Sequence, residues 1–299
     1  SNKSININNL SKKRRKQIRC SLLGDCYLCD SQECPTKKID DYQDFTIFKD
    51  INIKSFIFLG CWGYGCYPDS PQEKVFKLAK KRQKYNEFMV LGGDNFYLGK
   101  MGVPEYHPSR TIRYKQALKD NMSCLSSIKL DKYVGVGNKE YEYNCKHLES
   151  LSNKTRTLTG SWKRWIFPHR FYGLVTQNTI IAFVDTILYA FFDKNKKPED
   201  INHTCGLFLQ NQNKNPKEIN KLILEEIEAQ ESWLSRFLEK NLINQKTGKV
   251  RTSFVVGHHP IFCHYHKVKA NSEGKKVIKE LGLIKQLNHR LLPIIMDNK

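Results

Sequence analysis

The chain has 299 residues, of which 39% are hydrophobic, and its 50 Lys and Arg against 30 Asp and Glu give a formal net charge of +20. This length allows a large buried core, either as one α/β domain with an extension or as two domains. No run approaches the roughly 18–20 apolar residues of a membrane span, so no transmembrane helix is predicted. The charge favours anionic partners, but Lys is spread along the whole chain, so nucleic-acid binding would rest on charge alone.

Residues 1–54 are polar, irregular and Cys-bearing, and we expect them to form an N-terminal extension. The basic run SKKRRK (11–16) is either a solvated arm or a binding element. Four cysteines follow with the spacing C-x5-C-x2-C-x4-C, at Cys20, Cys26, Cys29 and Cys34. This spacing is compatible with a small zinc site or with two local disulfides, and both alternatives stay open.

Strands and helices alternate in the pattern after this extension. SFIFLG (55–60), FMVLGG (88–93) and LDKYVGVGN (130–138) are short apolar runs with Gly at or near their ends, as expected of buried strands. The amphipathic segments 69–86 and 110–125 between them are predicted as helices. This order predicts an α/β domain over the rest of the chain.

The second half of the chain mixes strand and helix signals differently. Residues 165–192 carry aromatic and β-branched runs separated by turn residues, which predicts successive antiparallel strands. Residues 217–242 have the clearest amphipathic helical pattern, TSFVVGHHP (252–260) is predicted to be another buried strand, and 275–296 are predicted helical until Pro293. The antiparallel middle indicates layered mixed sheets and not a purely parallel one.

Potential metal ligands follow the predicted strands. Cys61, Asp94, Tyr97, Asn138 and His258 each come shortly after a β-rich run and a Gly. In α/β proteins functional groups collect beyond the carboxyl ends of the strands, so we expect these side chains to converge. Oxygen and nitrogen donors of this kind suit a hard or borderline metal ion.

These motifs resemble those of a known family. GDNFY (93–97), VVGHHP (255–260) and the segment SWKRWIFPHRFYGL (161–174) resemble, in order and in flanking strands, the calcineurin-like metallophosphoesterases of the purple acid phosphatase (tartrate-resistant acid phosphatase) type. The resemblance covers residues 55–299 and implies a four-layer α/β/β/α metallophosphoesterase sandwich with mixed sheets. The family's last motif, GHxH, is not found before Lys299, so we expect a domain that lacks its last strands.

The resemblance also implies roles for individual residues. Asp94 would bridge two metals, Tyr97 would bind ferric iron, and Asn138 and His258 would bind the second metal. Cys61 stands where the family has a metal-binding Asp; its thiolate could bind metal, or it could pair with Cys66.

Three further residues are expected near the phosphate. Lys139 stands where the family has a substrate-contacting His, and a Lys is a poor proton donor at its ordinary pKa near ~10.4. His259 lies within VVGHHP (255–260) and His264 follows this segment, and both are the other candidate catalytic residues.

Two functions remain open on this basis. The first is a pseudophosphatase with a degenerate site and a structural or partner-binding role, in a larger protein assembly or at an anionic surface. The alternative is an active acid phosphatase that hydrolyses phosphomonoesters with a metal-activated hydroxide. The expected cofactors are one or two of iron, zinc or manganese, or no metal at all.

The compartment is indicated only weakly. Five N-x-[ST] sequons begin at Asn2, Asn9, Asn121, Asn153 and Asn202. Together with the family resemblance they favour a secretory, vacuolar or organellar location. The first residues contain neither an initiator Met nor an apolar signal segment, so we expect a processed or trimmed chain.

Overall fold

The computed structural model describes the chain in several segments, which are residues 45–63, 68–95, 125–138, 140, 164–191, 216–261, 269–270, 276–277 and 281–297. The chain divides into two units after Phe45, and every strand and helix described below belongs to the second unit, Thr46–Lys299. The four clustered cysteines of the expected extension lie outside the described residues, as do residues 110–124 of the helix expected over 110–125.

Ten strands and four helices are defined in the described segments. In chain order they are β1 Thr46–Phe48, β2 Ile57–Leu59, α1 Pro71–Arg82, β3 Phe88–Gly92, β4 Asp131–Gly135, β5 Trp165–Ile166, β6 Tyr172–Val175, β7 Thr179–Phe183, α2 Ile187–Phe191, α3 Pro216–Asn241, β8 Thr252–Val256, β9 Lys269–Ala270, β10 Lys276–Val277 and α4 Leu281–Asp297. A short 3-10 turn, Gln83–Tyr85, follows α1.

The strands form two four-stranded sheets and one two-stranded ribbon. The first sheet has the order β2-β3-β4-β5 and is parallel throughout. The second has the order β1-β6-β7-β8 and is mixed, because β6 and β7 are antiparallel whereas both outer pairs are parallel. The ribbon pairs β9 with β10. The chain is therefore a mixed α/β protein, as its alternating pattern predicted.

Three local expectations differ from the structure. The strand β1 lies within the segment expected to be an extension, yet it pairs with β6. Residues 165–192 do not all form antiparallel strands, because β5 pairs in parallel with β4 and Ile187–Phe191 form the helix α2. The expected helix over 275–296 starts only at Leu281, since Lys276–Val277 pair with β9, and it continues past Pro293. A proline this close to the helix end removes one backbone hydrogen bond without stopping the turn that follows.

The helix α1 begins where its sequence predicts. Ser70 is the N-cap, and its side-chain oxygen accepts a hydrogen bond from the backbone N–H of Glu73 at 3.1 Å. Pro71 occupies the first turn, where its missing N–H costs nothing. The buried Phe76 of this helix packs edge-on against Trp62, with ring centroids 5.7 Å apart.

The two large sheets contact each other through buried aromatic side chains. Tyr133 of β4 lies with its ring centroid 6.4 Å from that of Phe183 of β7. The Tyr172 hydroxyl of β6 donates a hydrogen bond of 3.1 Å to the carbonyl oxygen of Val134 in β4. The apolar strand β3 is buried along its whole length, as expected of a parallel strand covered on both faces.

The helix α3 packs directly on the mixed sheet. Gly173 of β6 lies so close that a Cβ atom there would be 2.0 Å from Cε2 of Phe237 in α3. The same helix contacts α2 and α4. Among the described residues no helix combines the length and the apolar character needed to cross a bilayer.

Candidate metal centre

Four candidate ligands lie beyond the carboxyl ends of neighbouring strands. Cys61 follows β2, Asp94 follows β3 and Asn138 follows β4, and these parallel strands end at the same edge of their sheet. His258 follows β8 of the mixed sheet and reaches the same place. The convergence expected from the sequence is therefore present for these four residues.

Three of these residues could hold one metal ion together. The Cys61 Sγ atom, an Asp94 carboxylate oxygen and a ring nitrogen of His258 all lie within 4.8 Å of one another. The His258 Nε2 atom is 3.4 Å from Asp94 Oδ1 and 3.1 Å from Asn138 Oδ1. Asn138 thus places a fourth possible ligand beside the other three.

The orientation of the His258 ring favours a cation at this position. Its Nδ1 atom lies 3.2 Å from the carbonyl oxygen of Gly92, so Nδ1 carries the hydrogen that this carbonyl accepts. The lone pair of Nε2 in the neutral ring then faces oxygen atoms of Asp94 and Asn138. A nitrogen lone pair, a carboxylate oxygen and an amide oxygen that face one another form a donor set that a metal ion can occupy. The donor atoms therefore fit a metal ion.

The backbone around these ligands is held in unusual conformations. Cys61 and Asp94 have positive φ angles of 50° and 52°, and Gly93 has one of 89°. Non-glycine residues adopt this region at a cost of ~1–3 kcal/mol, and such strain is common at functional sites. A Cβ atom on Gly137 would lie 2.3 Å from Asp94 Oδ1 and 3.0 Å from His258 Nδ1, so only Gly allows this approach.

A buried carboxyl group ties the ligand loops together. Glu140 accepts three backbone hydrogen bonds, from Gly137 at 2.6 Å and Asp94 at 3.1 Å to Oε2, and from Asn95 at 2.6 Å to Oε1. Burial, and secondly the nearby Asp94 carboxylate, raise the pKa of Glu140 to about 8, although the three N–H donors act in the opposite direction. Glu140 therefore holds the backbone of Asp94 in place through these hydrogen bonds.

His259 lies beside this group of candidate ligands, but it is not suited to donating a proton at neutral pH. Its backbone N–H donates to Thr186 Oγ1 at 3.1 Å, and its Nδ1 atom is 3.0 Å from the same oxygen. The Thr186 hydroxyl carries one hydrogen and two lone pairs, so it can donate to Nδ1 or accept from it. Burial, followed by the neighbouring His258, lowers the pKa of His259 to about 4. At neutral pH His259 is thus uncharged.

The structure leaves some expected site residues untested and adds others. Tyr97, Lys139 and His264 lie outside the described residues, as does Cys66, the alternative partner of Cys61. Glu140 and Thr186 were not among the expected site residues. Glu140 could have been noticed as an acidic residue three positions after Gly137 in a loop of strand-end ligands.

No protein-family model and no curated protein matches this chain. The function proposed below therefore rests on the arrangement of the side chains and on the motifs in the sequence.

Proposed function

We propose that this chain is a metallophosphoesterase-like domain of purple acid phosphatase type whose degenerate centre binds a single metal ion. In this proposal the domain is a pseudophosphatase, with a structural or partner-binding role in a larger assembly. The observation that supports it is the cluster of Cys61, Asp94 and His258 with Asn138 beside it. The cluster offers enough donors for one ion, and one of those donors is a thiol.

The finer architecture belongs to the same proposal. We propose the four-layer α/β/β/α sandwich, in which α1 and α3 cover the outer faces of the two sheets. It is supported by the contact of Phe76 in α1 with Trp62, by the approach of α3 to Gly173, and by the contact of Tyr133 with Phe183 between the sheets.

Hydrolysis by two metals would need more ligands and a different proton donor. A two-metal centre clamps the phosphoryl group between ions and activates a hydroxide. Among the described residues just one group of three or more such ligands is present, and it contains Cys61 in place of a carboxylate. His259, whose pKa is lowered by burial and by the neighbouring His258, is not poised to protonate a leaving group.

The alternative function, an active phosphomonoesterase, is favoured by one specific observation. Asp94, Asn138 and His258 converge as the family resemblance implies for the second metal. The family resemblance implies that Tyr97 is a further metal ligand and that Lys139 stands at the position that contacts the substrate. Phosphatase turnover in the experiment below would support this alternative.

A partner-binding role is supported by apolar side chains on two edge strands. Phe58 of β2 is 52% exposed and Phe254 of β8 is 39% exposed. Among the described strands, β2 pairs only with β3, and β8 pairs only with β7. Edge strands without charged residues are usually covered by another segment, so we propose that a partner strand covers them.

Metal content and phosphatase turnover, measured on the purified chain, test this proposal. We expect one transition metal ion per chain and no turnover of p-nitrophenyl phosphate above the background of the Asp94→Asn variant. Asp69→Asn is the matched control, because Asp69 is an exposed Asp that also has a positive φ angle, of 64°. Two metals with turnover that Asp94→Asn abolishes would establish the active enzyme instead, and a chain that binds no metal would refute the single-metal centre.

A further inference from the structure

Cys61 sets the metal preference of the centre, if the single-metal site proposed above is correct. We propose that Cys61 binds the ion as a thiolate and that the centre selects zinc or another thiophilic divalent ion over iron or manganese. The sulfur atom belongs to the group of donors that lie within 4.8 Å of one another, so it is placed to share an ion with Asp94 and His258.

The distances fit a small tetrahedral ion. Zinc bonds of ~2.3 Å to sulfur and ~2.0–2.2 Å to nitrogen and oxygen separate two tetrahedral ligands by roughly 3.4–3.6 Å. The distance of 3.4 Å between Asp94 Oδ1 and His258 Nε2 already has this value. No two donor atoms of the group lie more than 4.8 Å apart, which exceeds this tetrahedral range by about 1 Å. A change of side-chain rotamer at the exposed Cys61 could remove this difference.

Backbone hydrogen bonds hold the Cys61 loop against the Asp94 loop. The backbone N–H of Cys61 donates to the carbonyl oxygen of Gly93 at 3.2 Å, and that of Gly63 donates to the carbonyl oxygen of Asp94 at 3.0 Å. These two bonds hold the backbone that carries the thiol beside Asp94. Only the side-chain rotamer of Cys61 then has to change for the sulfur atom to reach an ion shared with Asp94 and His258.

The chemistry of this donor set favours a borderline-soft ion. Carboxylates and carbonyl oxygens suit magnesium and manganese, whereas thiolates suit zinc and copper(I), and imidazole binds zinc well. A set of one thiolate, one imidazole and one carboxylate, with the Asn138 amide beside it, is therefore closer to a zinc site than to a manganese site. A carboxylate at position 61 would give a harder site.

Cobalt(II) titration of the metal-free full-length chain under reducing conditions tests this inference. A thiolate bound to cobalt gives a charge-transfer absorption in the near ultraviolet, and zinc displaces cobalt from such sites. We expect this absorption in the wild type, its loss in Cys61→Ser, and a fall in zinc affinity of about tenfold or more in that variant, equivalent to ~1.4 kcal/mol. Cys26→Ser is the matched control, since the N-terminal cysteines could also bind cobalt.

A second variant, Cys61→Asp, tests the same inference in case Cys61→Ser does not fold. We expect Cys61→Asp to bind manganese more tightly, relative to zinc, than the wild type does. Asp tolerates the positive φ angle at this position better than most residues.

The outcomes separate the inference from the proposed function. If cobalt binding depends on Asp94 but the absorption is the same in Cys61→Ser as in the wild type, the thiolate inference is overturned and the metal centre stands. The same holds if cobalt binding depends on Asp94 and gives no charge-transfer absorption in the wild type. A Cys61–Cys66 disulfide in the purified protein that persists when metal binds would overturn it as well. The absence of any metal binding that Asp94→Asn weakens would refute the proposed function itself.

Discussion

The buried carboxyl group of Glu140 makes the stability of the domain depend on pH in a predictable direction. Its pKa is raised from 4.5 to about 8 in the folded chain. Because the folded state holds the proton more tightly than the unfolded state, the stabilisation is complete below pH 4.5 and is lost as the pH rises through 8. The metal-free chain should therefore become less stable across the neutral range.

The size of this effect follows from the shift. One pKa unit corresponds to ~1.36 kcal/mol, and between about pH 6.5 and about pH 8.5 the free energy of unfolding should fall by about 2 kcal/mol through Glu140 alone. In Glu140→Gln this contribution disappears. The amide nitrogen of Gln cannot accept the hydrogen bond that Asn95 N–H donates to Oε1, so the variant should also lose ~1–3 kcal/mol at the lower pH.

Urea denaturation of both proteins in a chelating buffer measures these quantities. We expect the stability difference between wild type and Glu140→Gln to shrink by about 2 kcal/mol from about pH 6.5 to about pH 8.5. Glu225→Gln, an exposed Glu on α3, is the control and should follow the wild type. A difference that stays constant with pH would refute the reasoning that burial and Asp94 keep Glu140 protonated.

Three smaller predictions concern His259 and the packing of the sheets. The pKa of His259 is lowered from 6.5 to about 4, so its contribution to the free energy of unfolding is present above pH 6.5. This contribution, up to roughly 3 kcal/mol, is lost as the pH falls through 4. Urea denaturation should show no such loss in His259→Gln, whereas the control His289→Gln should behave as wild type. Gly173→Ala should destabilise the fold by ~1–3 kcal/mol, measured by thermal denaturation, because its Cβ would overlap the Phe237 ring; an unchanged melting temperature would contradict this packing. Tyr172→Phe should cost ~1 kcal/mol in urea denaturation, since its hydroxyl bonds to a carbonyl of the other sheet, and an unchanged midpoint would contradict that bond.

The candidate ligands that could be predicted from the sequence follow short apolar runs. The strand β3 is a fully buried five-residue strand, and Asp94 follows its terminal Gly by two positions. Asn138 follows the neighbouring parallel strand β4, and because parallel strands end at the same edge of a sheet, the local pattern was sufficient to predict that Asp94 and Asn138 converge. His258 follows β8 of the other sheet, so its approach to Asp94 depends on how the two sheets pack.

The features that could not be predicted depend on contacts distant in sequence. The three residues of β1 pair with Gly173–Val175, and the two residues of β10 pair with Lys269–Ala270. Strands of two or three residues are too short to show an alternation of apolar and polar residues in the sequence. The contact of His259 with Thr186 likewise forms only because β7 and β8 are neighbours in the sheet.

Elemental analysis of the purified chain and of two variants is the most direct test of the single-metal centre. We expect one transition metal ion per chain in the wild type and in Asp69→Asn, and markedly less in Asp94→Asn. The single-metal centre would be contradicted by two metal ions per chain, by none, or by a metal content that Asp94→Asn leaves unchanged.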